Sequence, residues 1–198
     1  MISRLALIWA SFFAARNIYP HEKIDIYKYG FELLISTALN FLSILIISTL
    51  MGVISGAVLF CAAFIPLRLA AGGYHAKHHW SCVLGFNIVF LIFAHLNRLM
   101  IVEFTYLYII ASAIISTLFI WSLAPVAAVN KPLKVNQRER LRKRSIVIAC
   151  VNLAVAELFC LVGALRNYSA FFAFYNSGAL AASLSLIAAE LVTKKTAH

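Results

Sequence analysis

Read for hydropathy, the chain divides into long apolar runs separated by short polar breaks. Six runs stand out, at about 29–50, 51–69, 82–98, 101–123, 145–166 and 168–192. Each is about as long as a helix needs to cross the hydrocarbon core of a bilayer, roughly 17–25 residues. Gly52, the Asn97-Arg98 pair and Arg166-Asn167 mark tight turns between paired runs. Ahead of them, Leu5, Ile8, Trp9, Phe12 and Phe13 recur at helical spacing between Arg4 and Arg16. That apolar stretch is too short to span, and predicts an amphipathic helix lying at the membrane interface. No small-residue cleavage site of a signal peptide precedes the polar stretch 16–28. The pattern predicts an all-α integral membrane protein, a single domain over 1–198. Residues 1–28 form an N-terminal segment, and 29–192 a six-helix bundle with inner loops at 70–81 and 124–144.

Composition strengthens this picture. The hydrophobic fraction is 63% and charged residues are 12%, against roughly 45–50% and 25% in soluble domains. The net charge of +10 does not point to nucleic acid, because the basic residues lie between apolar runs and form no stripe on one domain. Their distribution follows the positive-inside rule instead. With both termini cytoplasmic, 15 Lys and Arg fall on the inner side and 2, Arg98 and Arg166, on the outer. The stretch 131–144 alone holds seven basic residues and Glu139, a net +6. It anchors the topology, and it is a surface for anionic lipid or an acidic peptide. Lys131 and Lys134 open it, with Pro132 keeping the preceding helix from continuing through.

Candidate chemistry gathers between the second and third spans, in Arg68-Leu69-Ala70-Ala71-Gly72-Gly73-Tyr74-His75-Ala76-Lys77-His78-His79-Trp80-Ser81-Cys82. Gly72-Gly73 is expected to break the helix. Cys61, Cys150 and Cys160 lie inside apolar runs and read as small hydrophobes. Cys82 follows a polar loop at the start of a span, where helix-end N–H groups and nearby Lys77 and Arg68 favour a thiolate. With an imidazole as base it makes a nucleophilic pair. In an unbroken helix His75 stands about 10.5 Å from Cys82 along the axis, so spacing alone favours His78 or His79. His75 serves only if the loop folds back. The same histidines and Cys82 could ligate zinc, but no H-E-x-x-H motif supplies a general base. Glu32 and Glu157 fall in or near apolar spans, where an acid is a functional candidate. Six spans with two such acids also fit a small exporter, although no P-loop is present for ATP drive.

Arg68-x3-Gly72-Gly73-x-His75-Ala76 followed by Cys82 resembles the AgrB family, the accessory gene regulator B proteins of Gram-positive bacteria. Gly30-x-Glu32, Ala124-Pro125-Val126 and Asn130-Lys131-Pro132-Leu133 match as well. The resemblance implies a cell-membrane cysteine endopeptidase that matures a quorum-sensing propeptide into a thiolactone or lactone. Its catalytic pair maps onto His75 and Cys82, over the spacing preference for His78. Arg68, Gly72, Gly73 and Glu32 fall on family positions, and Lys131 and Lys134 on the basic loop. The implied partners are a propeptide with an amphipathic N-terminus and acidic tail, anionic lipid, and a second copy in a homodimer. Thiol acyl transfer calls for no cofactor.

Overall fold

The computed structural model of the protein describes residues 2–16, 18–73, 79–126, 135–166 and 169–196. Seven α-helices follow in order: α1 (Ile2–Ala15), α2 (Ile24–Leu50), α3 (Ile54–Ala71), α4 (His79–Leu99), α5 (Val102–Leu123), α6 (Val135–Arg166) and α7 (Ser169–Thr196). Six of them, α2 to α7, are long and apolar enough to cross a membrane, while α1 is shorter. The hydropathy pattern therefore gives the right number of spans. Its boundaries shift by a few residues: the third span begins at His79, and the turn expected at Asn97-Arg98 falls after Leu99. The larger difference is α6, which begins at Val135. Much of the basic stretch expected as loop is thus helical, with Arg138, Arg140, Arg142, Lys143 and Arg144 exposed on its first turns.

The chain forms two compact units. The first comprises residues 1–47 and 76–88. In α1 every fourth residue (Ile2, Ala6, Ala10, Ala14) is buried, while Leu5, Ile8, Trp9 and Phe12 are exposed. This divides the helix into a small-residue inner stripe and a bulky apolar outer face. Ring contacts tie α1 to the start of α2: Trp9 meets Phe31 edge-on at 5.8 Å and Phe13 stacks on Phe31 at 5.7 Å. Tyr19 stacks on Tyr27 and donates its hydroxyl to the Ala10 carbonyl. Burial, with Tyr27 beside it, pushes the Tyr19 phenol above its usual range.

The second unit comprises residues 48–75 and 89–198. Its centre is α7, whose span is 61% buried and which packs against α3, α5 and α6. The core joins Ala63, Leu67 and Ala71 of α3, Ile120 of α5, Ala149 of α6, and Tyr175, Ala179, Ala182 and Leu186 of α7. Small residues explain why α7 takes this position. A Cβ on Gly178 would overlap the Phe60 carbonyl of α3, so only glycine lets the two backbones approach this closely. Phe60 packs in turn on Phe90 of α4, edge-on at 5.4 Å.

Polar groups in this interior bond between helices or back onto their own. Asn97 Nδ2 donates to Ser177 Oγ at 2.9 Å, and the Tyr108 hydroxyl lies 2.7 Å from the same oxygen, joining α4, α5 and α7. The Tyr175 hydroxyl donates to Asn152 Oδ1 of α6. Ser112, Ser116 and Ser183 bond carbonyls three residues back on their own helices. With no water in hydrocarbon, such bonds are what make these side chains tolerable there.

Candidate functional site

The site region begins where α3 ends. Ala71 is the last helical residue, and Gly72 and Gly73 follow with φ of +81° and +131°. Both values lie where side-chain-bearing residues are strained, so the expected backbone break is present and glycine is the residue it needs. The break is held firmly on both sides. On one side, residues 124–126 run alongside it: Val126 N–H donates to the Ala71 carbonyl at 3.0 Å, and Gly72 and Val126 form a parallel bridge. A Cβ on Gly72 would overlap the Val126 carbonyl oxygen.

On the other side stands Arg68, one turn before the break. Its Nη1 donates to the Gly72 carbonyl at 2.7 Å and reaches Ser185 Oγ of α7 at 3.5 Å. A Cβ on Gly73 would overlap the guanidinium and lie 2.6 Å from Ser185 Oγ. Charge placement was the reason expected for Arg68, and the structure gives it a local one. Arg68 caps a carbonyl that the end of α3 leaves without a helical partner. Sequence reasoning missed Ser185 and the backbone of Val126. Ser185 carries no signal, being one serine among several on α7, but Ala124-Pro125-Val126 was visible as a motif without a role.

Cys82 belongs to the first unit. It is a free, half-buried thiol in the first turn of α4, three residues after the helix begins at His79. The expected setting at a helix N-terminus is present, where the first backbone N–H groups have no partner within the helix. Further along α4, Asn87 is buried and donates from Nδ2 to the Val83 carbonyl at 2.7 Å. Its Oδ1 has no hydrogen-bond partner among the described residues. Glu32 is half-buried near the start of α2. At helical spacing it shares a face with Ser36 and Asn40, whose Oγ and Oδ1 are buried without a partner among the described residues. His75, His78, Lys131 and Lys134 lie outside the described residues, and the side chain of His79 does too.

Six long apolar helices, a helix break held by Arg68 and Val126, and a free thiol in the first turn of α4 define a multi-pass helical membrane protein. Comparison with known proteins narrows this. The family model for accessory gene regulator B matches residues 6–189, and the chain belongs to the AgrB family. It is 31% identical to protein FsrB of Enterococcus faecalis over 133 residues, 67% of this chain and 54% of FsrB. It is 26% identical over 188 residues to AgrB-like protein 2 of Clostridium perfringens, covering 90% of this chain and 81% of that one. The chain thus spans about half the length of FsrB and most of the clostridial protein. No solved structure matches it.

Proposed function

We propose that this protein is a membrane-embedded cysteine endopeptidase that processes a short quorum-sensing propeptide. The observation that carries the reading is the match to the AgrB family over residues 6–189. The glycine break seated against Val126 and Arg68, two residues before His75, supports it, as does Cys82 in the first turn of α4. In this reading His75 is the base and Cys82 the nucleophile. The imidazole takes the thiol proton as sulfur attacks the carbonyl that ends the future signal. The C–N bond then breaks, and the imidazolium returns the proton to the departing amine of the acidic tail. The acyl group rests on Cys82 as a thioester. A thiol or hydroxyl within the bound peptide next gives its proton to His75, attacks that thioester, and leaves as a cyclic thiolactone or lactone while Cys82 is restored.

Transfer to the peptide requires that water be kept from the thioester, a use for a site at a membrane surface. In this reading both termini and the site face the cytoplasm, which the bias of the basic residues supports. The basic stretch 131–144 receives the propeptide's acidic tail and anionic lipid headgroups, with Lys131 and Lys134 at its head. Glu32 orients the site or binds peptide.

Co-expression with the propeptide, followed by mass spectrometry, tests the assignment. Cys82→Ala is expected to abolish cleavage and His75→Ala to lower it by about 10²–10⁴, the range for removing a general base. His78→Ala should leave it nearly intact. Unchanged cleavage in Cys82→Ala would end the reading, and a dead His78→Ala beside a live His75→Ala would move the base.

A further inference from the structure

Five buried side-chain polar atoms have no hydrogen-bond partner among the described residues. Two of them, Asn97 Oδ1 and Asn152 Nδ2, sit on amides whose other end already bonds a neighbouring helix. The other three, Ser36 Oγ, Asn40 Oδ1 and Asn87 Oδ1, belong to the first unit, the one that holds Cys82. Such atoms are costly in hydrocarbon, where no bulk water serves them. A serine on a helix can serve itself, as Ser43 does on α2 by donating to the Leu39 carbonyl at 2.7 Å. Ser36, seven residues earlier on that helix, makes no such bond among the described residues. Asn87 is only 7% exposed, and its Nδ2 is engaged by the Val83 carbonyl, which leaves Oδ1 as a waiting acceptor.

The spacing of these groups has a counterpart in peptide geometry. Glu32, Ser36 and Asn40 follow at intervals of four on one ridge of the half-buried side of α2. Leu34, Phe41, Leu42 and Leu45 stand on its exposed side. Each step along the ridge rises about 6 Å. An extended peptide presents N–H groups along one edge every second residue, about 6.6–6.8 Å apart. The two repeats match closely enough for successive N–H groups on one edge to meet Ser36 and Asn40. On α4, Asn87 lies five residues past Cys82, about 7.5 Å further along the helix. The span of α2 is 12% buried, against 61% for α7, so little packing has to part to admit a chain.

We infer that this ridge and Asn87 form a subsite for peptide backbone, which holds in extended form the residues just ahead of the bond that Cys82 attacks. Ser36 Oγ, Asn40 Oδ1 and Asn87 Oδ1 accept from amide N–H groups of that segment, so each acceptor gains the donor it lacks. The subsite reads main chain and not side chains, as a strand does when it adds to a sheet edge. These groups bind and position the peptide and take no part in the proton transfers. The inference deepens the peptidase reading and rests on it for the place of the cut.

The test uses the full-length protein in lipid nanodiscs with synthetic propeptide. Cleavage by the wild type and its loss in Cys82→Ala judge the peptidase reading. Affinity of a fluorescent peptide for Cys82→Ala judges the subsite by itself. In that background Asn40→Leu, Ser36→Ala and Asn87→Leu should each weaken binding about tenfold. Peptides methylated at one backbone nitrogen at a time, over the six residues ahead of the cut, should show tenfold losses at two nitrogens two residues apart. Asn40→Leu should erase one of those losses and Ser36→Ala the other, because a donor whose acceptor is gone has no bond left to lose. The methylation series needs no substitution in the subsite, so it decides the matter where a variant fails to fold. Unchanged affinity in the three variants, or across the methylated peptides, would overturn the subsite. So would methylation losses that persist undiminished in Asn40→Leu and Ser36→Ala, the result of water alone filling these positions.

Discussion

Gly73 and Arg68 show how much chemistry a short motif can hide. Gly73 combines a φ of +131° with a site where an added Cβ meets the guanidinium and Ser185. Gly73→Ala should therefore lose most propeptide cleavage, with strain of about 1–3 kcal/mol, while expression and membrane insertion stay measurable on a blot. Arg68→Lys keeps the charge but not the rigid, planar guanidinium whose Nη1 reaches both the Gly72 carbonyl and Ser185. Cleavage by Arg68→Lys should fall about tenfold, the worth of roughly 1.4 kcal/mol, and an unchanged rate would show that charge alone is needed. The glycine pair and Arg68 were legible in the sequence as a motif. Why Arg68 stands there was not, because its partners come from residues 72 and 185, and no local pattern joins them. Cys82 drew notice through its place at the edge of a polar stretch, and the structure sets it in the first turn of α4, as its position in the sequence predicts.

At the scale of elements, α7 decides the packing of the second unit, and Gly178 decides how α7 meets α3. Gly178→Leu would drive a side chain into the Phe60 backbone, which cannot turn aside as a flexible side chain would. Thermal unfolding in detergent should shift by the equivalent of about 1–3 kcal/mol, typical of overpacking. A Tyr108→Phe control, removing one interhelical bond to Ser177, should cost only about 0.6 kcal/mol. Hydropathy placed these spans correctly, since length and apolarity are local properties. It could not rank them by burial, because in a bilayer a lipid-facing helix and a central one are both apolar. The start of α6 was missed for a related reason. Basic residues are good helix formers, so a charged stretch reads as loop only when polarity is taken for disorder of the backbone.

For the molecule as a whole, the count of spans and the charge bias predict that both ends lie on one side. A fluorescent reporter that folds only in the cytoplasm, fused after residue 198, should be bright, and a periplasm-type phosphatase reporter at the same place should be inactive; the reverse pair would remove one span from the count. The clamp at Gly72-Gly73 bears on how such a chain comes off the ribosome. The residues that hold it are distributed over α3, the segment after α5, and α7. A nascent chain that has inserted only its first four helices has the glycines but neither Val126 nor Ser185 to seat them. The seat closes only when α7 joins the bundle, so under the proposed peptidase reading cleavage should first be measurable in chains released after α7, and chains truncated before it should give none.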